Sequence, residues 1–243
     1  MIASHDFALV IRKIANQFHP VVPFNAHTEK LAALDLSPSN AKFSPSDYEN
    51  TLSLSKFINA EREKAGAVYL IGGYNETRNM YLRSGLFHQN LGSDSSRVEE
   101  PRSIHLGIDI WGEVDTPIMA PLGGMVHSYA FNNNFADYGA TIILQHQVDT
   151  LNFYTLYGHL ALKDIANVRS GQFITRGELF AHFGNPAENG DWPPHLHFQV
   201  ILDIGNWEGD YPGVCKKSEA VKYLLNSPDP DSILNMRKFL QQD

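Results

Sequence analysis

The chain has 243 residues, of which 43% are hydrophobic and 11% aromatic, so it is long enough to bury a sizeable core. Its formal net charge of -8 argues against nucleic acid, and against an anionic membrane surface, as the main partner. The single cysteine, Cys215, allows no internal disulfide, and no uninterrupted apolar stretch is long enough to span a bilayer.

The N-terminal segment lacks the features of a secretory signal peptide. It has no basic start followed by an apolar run and a small-residue cleavage site. Together with the absence of a disulfide, this predicts a cytoplasmic protein without membrane insertion. A shortened form of an exported protein would show the same pattern, so export stays open.

We predict an N-terminal addition of helical and mixed structure over residues 1–100. Apolar residues at helical spacing predict a first helix over residues 5–18, which ends before two prolines. Ser46, with Glu49 three positions later, has the pattern of a capping box. It predicts a second helix that runs to about Ala65.

Short β runs punctuated by glycine predict a mainly antiparallel β core over residues 101–205. The C-terminal extension, residues 206–243, should be loop-like with a helix over residues 218–225. The fold class is therefore a mainly β sheet or sandwich with helical additions at both ends. The predicted strands are residues 67–71, 124–129, 140–146, 152–157 and 179–184.

Two short stretches of the core carry ionisable residues at even spacing inside alternating apolar runs. His105 and Asp109 lie four positions apart in one, and His195 and His197 lie two positions apart in the other. Side chains two or four apart on a β-strand share a face, so each pair should point to one side of a strand. The residues that should face the core are Ile104, Leu106, Ile108, Ile110, Leu196, Phe198 and Val200.

These residue types suit a catalytic zinc site. Zinc binds nitrogen and carboxylate oxygen in tetrahedral array, and a catalytic site keeps one position open. The pattern offers His105, Asp109 and one of His195 or His197 as ligands, and it does not choose between the last two. The remaining histidine of that pair and His159, which follows a predicted strand, are candidates for proton transfer and for stabilising an oxyanion.

The order of these residues resembles that of the lysostaphin-type (LytM-type) zinc endopeptidases, which cut peptide crosslinks in bacterial cell walls. The family pattern is H-x-x-x-D, then a histidine two residues after a tyrosine, then H-x-H. The chain matches all three elements in this order within about residues 100–202. The matching segments are Leu106-Gly107-Ile108-Asp109, Thr116-Pro117-Ile118, Ala120-Pro121, Gly123-Gly124-Met125-Val126, Tyr157-Gly158-His159-Leu160 and Pro194-His195-Leu196-His197-Phe198.

The resemblance implies a lysostaphin-like core, the duplicated hybrid motif, with one zinc ion per chain. It implies that His105, Asp109 and His197 bind zinc and that His159 and His195 are catalytic. The implied substrate is a peptide, often glycine-containing, or peptidoglycan. Some members place a tyrosine donor six residues before the first ligand, where this chain has Glu99, and Arg102 is a possible substitute.

Segments around the motifs also resemble a branch of this family found in large intracellular proteins. In that branch the domain lies between a kinase-like phosphotransferase and a class III aminotransferase. Two alternatives to a wall endopeptidase stay open, and this second resemblance favours the first of them. One is an intracellular zinc hydrolase of a small peptide or amide metabolite, and the other is a non-catalytic scaffold on the same fold.

Overall fold

The computed structural model describes residues 4–87 and 100–240. The helices are α1 (Ser4–Lys13), α2 (Thr51–Ala65), α3 (Leu162–Ile165), α4 (Ala220–Asn226) and α5 (Asp231–Leu234). The strands are β1 (Leu31–Ala33), β2 (Tyr69–Gly72), β3 (Arg102–His105), β4 (Ile108–Trp111), β5 (Pro117–Met119), β6 (Gly124–Asn132), β7 (Gly139–Val148), β8 (Leu151–Leu160), β9 (Phe173–Ile174), β10 (Leu179–His182), β11 (His195–Ile201) and β12 (Val214–Lys216). None of the helices in these two ranges has the length and apolar character needed to cross a membrane.

The main sheet within the described ranges has eight strands in the order β1-β2-β4-β11-β8-β7-β6-β9. The β1–β2 pair is parallel, and the other pairs are antiparallel. Two smaller antiparallel pairs, β5–β10 and β3–β12, flank it. The prediction of a mainly antiparallel β fold with helical additions is therefore confirmed.

The helix predicted over residues 5–18 is shorter in the structure. It ends at Lys13 and is followed by a 3-10 turn over Ala15–Gln17. Residues 88–99, which precede the first motif, lie outside the described residues.

The predicted cap of the second helix is wrong. Residues Pro45–Asp47 form a separate 3-10 turn whose capping box joins Ser44 to Asp47. Helix α2 begins later, because the side chain of Asn50 accepts a hydrogen bond from the backbone N–H of Ser53 at 2.9 Å. The predicted end of the helix is correct, since Gly66 follows Ala65 in a left-handed conformation.

The sequence pattern predicted one continuous strand that carries both His105 and Asp109. This prediction is wrong. His105 ends β3, which pairs with β12, whereas Asp109 lies in β4, inside the main sheet. The chain changes partners at Leu106 and Gly107. A Cβ atom at Gly107 would lie 2.5 Å from Cε1 of His197, so this position needs glycine for the close approach of an imidazole.

The main hydrophobic core lies on the face of the sheet predicted to be apolar. Leu196, Phe198 and Val200 of β11 are fully buried in one cluster with Ile108 and Ile110 of β4. Alternation along both strands therefore sends the ionisable residues to the opposite face. The predicted division of the two faces is confirmed for these strands.

A second cluster covers part of the ionisable face. Leu54 and Ile58 of α2 pack with Tyr81, and the same cluster includes Trp111 and Trp192 of the β core. Strand β2 of the N-terminal segment also pairs with β4 in register, with Gly72 opposite Asp109. The N-terminal segment thus adds strands to the main sheet next to β4. It also packs against the face of the sheet that carries Asp109.

His146 is a buried histidine of β7, which is separated from β11 by β8 in the sheet order. Its Nδ1 lies 3.0 Å from the carbonyl oxygen of Gly123, and its Nε2 lies 2.7 Å from the hydroxyl oxygen of Thr155. Its ring stacks on Phe153 with centroids 5.0 Å apart. Burial lowers the pKa of His146 to about 4, because the charged imidazolium loses its hydration.

This buried histidine predicts a contribution to acid sensitivity. Between pH 6.5 and 4 the unfolded chain protonates residue 146 and the folded chain does not, so stability falls as pH falls through this window. The variant His146→Gln should show a shallower fall, by up to about 1.4 kcal/mol per pH unit. Urea unfolding across this pH range measures it, with exposed His27→Gln as the matched control. Equal slopes for wild type and His146→Gln would contradict the prediction.

Candidate metal centre

The register between β4 and β11 brings the predicted site residues together. His197 lies opposite Asp109, and His195 lies opposite Trp111. On the other side of β11, Gly158 of β8 pairs with His197. Residues far apart in the sequence therefore meet on one face of three adjacent strands.

Three buried ligand-type atoms form a small triangle on this face. Nε2 of His105 lies 2.9 Å from Nδ1 of His197 and 3.4 Å from Oδ1 of Asp109. Nδ1 of His197 lies 3.2 Å from the same Oδ1. Within the two described ranges, these three residues form the cluster whose geometry could hold a metal ion.

The outward nitrogen of each imidazole fixes its tautomer. Nδ1 of His105 lies 2.9 Å from the carbonyl oxygen of Gly73, so it carries the proton and donates it. The amide nitrogen of Gln199 donates to Pro212 and Ser227, so its Oε1 faces Nε2 of His197, at 3.0 Å. The inner nitrogens, Nε2 of His105 and Nδ1 of His197, are therefore unprotonated, and their lone pairs face each other.

Two lone pairs and a carboxylate oxygen at such distances repel one another unless a cation lies between them. Ligand atoms placed tetrahedrally at zinc distances are separated by about 3.3 Å. The observed separations of 2.9, 3.2 and 3.4 Å bracket that value. The donor set of two imidazole nitrogens and one carboxylate oxygen fits zinc.

The charge states of the cluster suit a cation. Burial, together with the nearby Arg78 charge, lowers the pKa of His105 to about 4, so the ring is neutral. Burial opposes ionisation of Asp109, but the charge of Arg78, which donates to Oδ2 of Asp109, outweighs it. The pKa of the Asp109 carboxyl is held well below its usual range, and it carries its negative charge.

His159 and His195 lie beside the triangle and not within it. Nε2 of His195 lies 4.0 Å from Oδ1 of Asp109. The imidazole rings of His159 and His195 have centroids 4.1 Å apart. Each Nδ1 faces a backbone carbonyl oxygen: that of Asn189 at 2.8 Å for His159 and that of Pro193 at 2.7 Å for His195. Both Nε2 atoms therefore carry lone pairs.

Burial keeps this pair neutral. It lowers the pKa of His195 to about 4 and that of His159 well below its usual range, and the neighbouring His195 adds to the effect on His159. His195 also stacks on Trp111, with centroids 3.9 Å apart. The arrangement offers two neutral, oriented imidazoles next to a candidate metal centre.

His159 adopts a strained backbone conformation. It lies within β8, which continues beyond the strand predicted over residues 152–157, and it has a positive φ of 62°. Gly158, the preceding residue, pairs with His197 and so lies on the ionisable face. Regular alternation would therefore send the His159 side chain to the apolar face. An irregularity in the β7–β8 register at this end of the strands accompanies the positive φ, and the ring lies on the same side as His195.

A cavity of about 270 Å³ opens onto these residues. Its walls include Tyr81 and Phe87 from the N-terminal segment and Trp207 and Tyr211 from the segment after β11. Arg102 also lines it, and its guanidinium donates to the carbonyl of Leu86 and lies over the Phe87 ring. The equivalent of the family's tyrosine, residue 99, lies outside the described residues.

Three residues around the cluster were not predicted as site residues. Gln199 orients His197, and the spacing of two that pairs His195 with His197 also places Gln199 on that face. The hydroxyl of Tyr138 lies 3.4 Å from Nε2 of His197. Arg78 donates to Oδ2 of Asp109 at 2.5 Å, and no local sequence signal indicates that contact.

Solved structures resemble parts of this chain. The catalytic domain of lysostaphin from Staphylococcus simulans is 19% identical, covering 69% of this chain and 97% of that chain, with a TM-score of 0.38. A zinc-containing peptidase from Vibrio cholerae is 26% identical, covering 45% of this chain and 29% of that chain, with a TM-score of 0.33.

Two curated proteins and one family model are similar to part of this chain. A Haemophilus influenzae protein named as an uncharacterized metalloprotease is 33% identical over 99 residues, and the match covers 41% of this chain and 19% of that protein. The L-Ala–D-Glu endopeptidase of Bacillus subtilis is 26% identical over 115 residues, covering 45% of this chain and 33% of that protein. The model of peptidase family M23 matches residues 103–207. The predicted resemblance to this family is therefore supported over residues 103–207.

Proposed function

We propose that this chain is a zinc-dependent metallopeptidase that hydrolyses peptide bonds. The observation that carries the proposal is the buried triangle of His105, Asp109 and His197, in which hydrogen bonds to outer carbonyl groups leave both inner nitrogens unprotonated. We propose these three residues as ligands of one zinc ion. Zinc bound there would supply a Lewis acid for the scissile carbonyl and would lower the pKa of water towards about 7.

His159 and His195 are proposed as the catalytic residues. Each holds its Nδ1 proton on a backbone carbonyl and presents an unprotonated Nε2, so either ring can accept a proton from water. A ring that holds a proton at Nε2 can donate a hydrogen bond to the oxyanion that develops on the carbonyl oxygen. The rings lie side by side, and the proposal assigns the two roles to the pair together.

The proposed substrate is a peptide with a small residue at the cleaved bond, such as a glycine-containing peptide or a peptidoglycan stem peptide. Support comes from the family match over residues 103–207 and from a relative named as an L-Ala–D-Glu endopeptidase. We further propose a peptidase core over residues 101–205, with an N-terminal addition over residues 1–100 and a C-terminal extension over residues 206–243.

A second candidate is hydrolysis of a small peptide or amide metabolite. The cavity lining favours it, because it includes four aromatic residues that lie outside the proposed core: Tyr81, Phe87, Trp207 and Tyr211. A cavity of about 270 Å³ accommodates a few residues of a substrate. A long crosslinked polymer needs a groove that is open at both ends.

The ligand and catalytic roles predict different effects of single substitutions. His105→Ala and Asp109→Ala should each abolish tight zinc binding, because each removes one of three ligands. His159→Ala should retain zinc and lower kcat by about 100- to 10,000-fold, because it removes a proton-transfer group. Metal analysis of the purified proteins and peptide cleavage assays before and after chelation measure both effects.

His27→Ala is the matched control for these variants, since His27 is exposed and its side chain lies outside the cluster. Loss of zinc from His159→Ala would contradict the catalytic role of that residue. A wild-type protein that binds no zinc, even when zinc is added back, would contradict the metallopeptidase proposal and favour the scaffold.

Substrate size separates the two candidate functions. A wall-type endopeptidase should release soluble fragments from purified peptidoglycan and cleave internal bonds of oligoglycine. A hydrolase of small peptides should cleave dipeptides to tetrapeptides and lose activity as the peptide is lengthened at either end, because the aromatic walls limit the space. Mass spectrometry of a length series with free and blocked ends measures the difference. The His159→Ala variant is the inactive control in both assays.

A further inference from the structure

Arg78 is a fully buried arginine whose guanidinium lies between two carboxylates. Its side chain is 1% exposed. Nε donates to Oε2 of Glu76 and Nη1 donates to Oδ2 of Asp109, each at 2.5 Å. Nη1 also lies 3.2 Å from the hydroxyl of Tyr81. An arginine with two acidic partners and so little exposure is costly to bury, so its position calls for an explanation.

The two oxygens of the Asp109 carboxylate have different partners. Oδ1 lies in the triangle with His105 and His197, whereas Oδ2 faces the guanidinium. Charge-assisted hydrogen bonds of this kind are short and directional. While Arg78 occupies Oδ2, Asp109 presents a single oxygen to the candidate metal position.

The guanidinium is itself held from several sides. Oε1 of Glu76 accepts a hydrogen bond from the backbone N–H of Leu36 at 3.1 Å, so the carboxylate that holds Nε is anchored to another segment. A Cβ atom at position 73 would clash with Nη2 of Arg78, so Gly73 leaves the room that this side chain fills. The Arg78 fork therefore has little freedom to turn away from Asp109.

The same short segment supports His105. The carbonyl oxygen of Gly73 accepts the Nδ1 proton of His105 at 2.9 Å. Backbone hydrogen bonds join Asn75 and Glu76 to His105, and Arg78 to Ser103, at 2.8 to 2.9 Å. Residues 73–78 thus contact two of the three proposed ligands, and they lie outside the region that matches the family model, residues 103–207.

We propose that Arg78 is a positioning residue for the metal centre, which holds Asp109 as a one-oxygen ligand through its Oδ2. This inference rests on the metal site of the proposed function. Through Arg78 and Gly73, the N-terminal segment completes the outer shell of that site. Removal of an outer-shell partner of a metal ligand typically costs 10- to 100-fold in metal affinity.

The test compares Arg78→Met and Arg78→Lys with wild type in the full chain. Lysine keeps the charge but is a point donor, which cannot hold Glu76 and Asp109 in the fixed geometry of the arginine fork. Three quantities are measured: zinc affinity by competition with a chromophoric chelator, the visible absorption of the cobalt-substituted protein, and the Tm of the metal-free protein. The matched control is Arg62→Met, which removes another arginine of the N-terminal segment, paired to Glu113.

We expect Arg78→Met to bind zinc about 10- to 100-fold more weakly than wild type. Its cobalt absorption should shift and weaken, because a free Oδ2 allows Asp109 to bind through both oxygens. Arg78→Lys should also bind zinc more weakly and show an altered cobalt spectrum, and it serves as the deciding variant if Arg78→Met does not fold. Arg62→Met should match wild type in affinity and spectrum.

Two results would overturn the positioning role. One is a lowered Tm of the metal-free Arg78 variants with wild-type zinc affinity and cobalt spectrum, which would make Arg78 a purely structural residue. The other is full rescue of both readouts by Arg78→Lys, which would make the charge alone sufficient. Failure of wild type itself to bind zinc or cobalt would instead defeat the proposed metal site, so the two failures are distinguishable.

Discussion

The antiparallel pairing of β4 with β11 is the constraint on which the rest of the site depends. Its register puts His197 opposite Asp109 and His195 opposite Trp111, and a shift by one residue would turn these side chains into the apolar core. The register is held by the opposite face, where Phe198 and Ile110 belong to the main hydrophobic core. Hydrophobic burial on one side of the sheet therefore fixes the geometry of the ionisable residues on the other.

Burying five ionisable groups together is expensive unless each polar atom has a partner. The structure meets this requirement mainly with neutral acceptors: the carbonyls of Gly73, Asn189 and Pro193 each face one imidazole nitrogen. These contacts do more than satisfy hydrogen bonds, because they decide which nitrogen of each ring is unprotonated. The inner nitrogens of His105 and His197 are left facing each other, and the proposed zinc ion between them would remove the repulsion.

The spacing of residues in the sequence was sufficient to predict the faces of β4 and β11 and the group of residues that meets there. Alternation is a local property, so Asp109, His195 and His197 could be placed from a few neighbours each. The choice between His195 and His197 as a ligand was not local. The proposal of His197 is supported by distance, since its Nδ1 lies 3.2 Å from Oδ1 of Asp109, whereas Nε2 of His195 lies 4.0 Å from the same oxygen.

Features that depend on backbone irregularity or on distant contacts were not predictable in this way. The break between His105 and Asp109 reflects a change of strand partner at Leu106, whose N–H bonds to Gly213 on a segment far along the chain. The positive φ of His159 overrides the alternation of β8. The contact of Arg78 with Asp109 spans 31 positions between segments of different type, and no periodicity reports it.

The distribution of these contacts separates what the core contributes from what the additions contribute. The proposed ligands and both proposed catalytic histidines lie within residues 103–207, the region that matches the family model. The cavity walls next to them come partly from Tyr81 and Phe87 before that region and from Tyr211 after it. Chemistry at the metal depends on the first set, because only those atoms touch the proposed ion. The walls combine both sets, since Trp111, Tyr138 and Trp192 of the matched region line the same cavity. A substrate of the proposed peptidase would therefore contact the core and the additions together, and the additions would contribute to its selection.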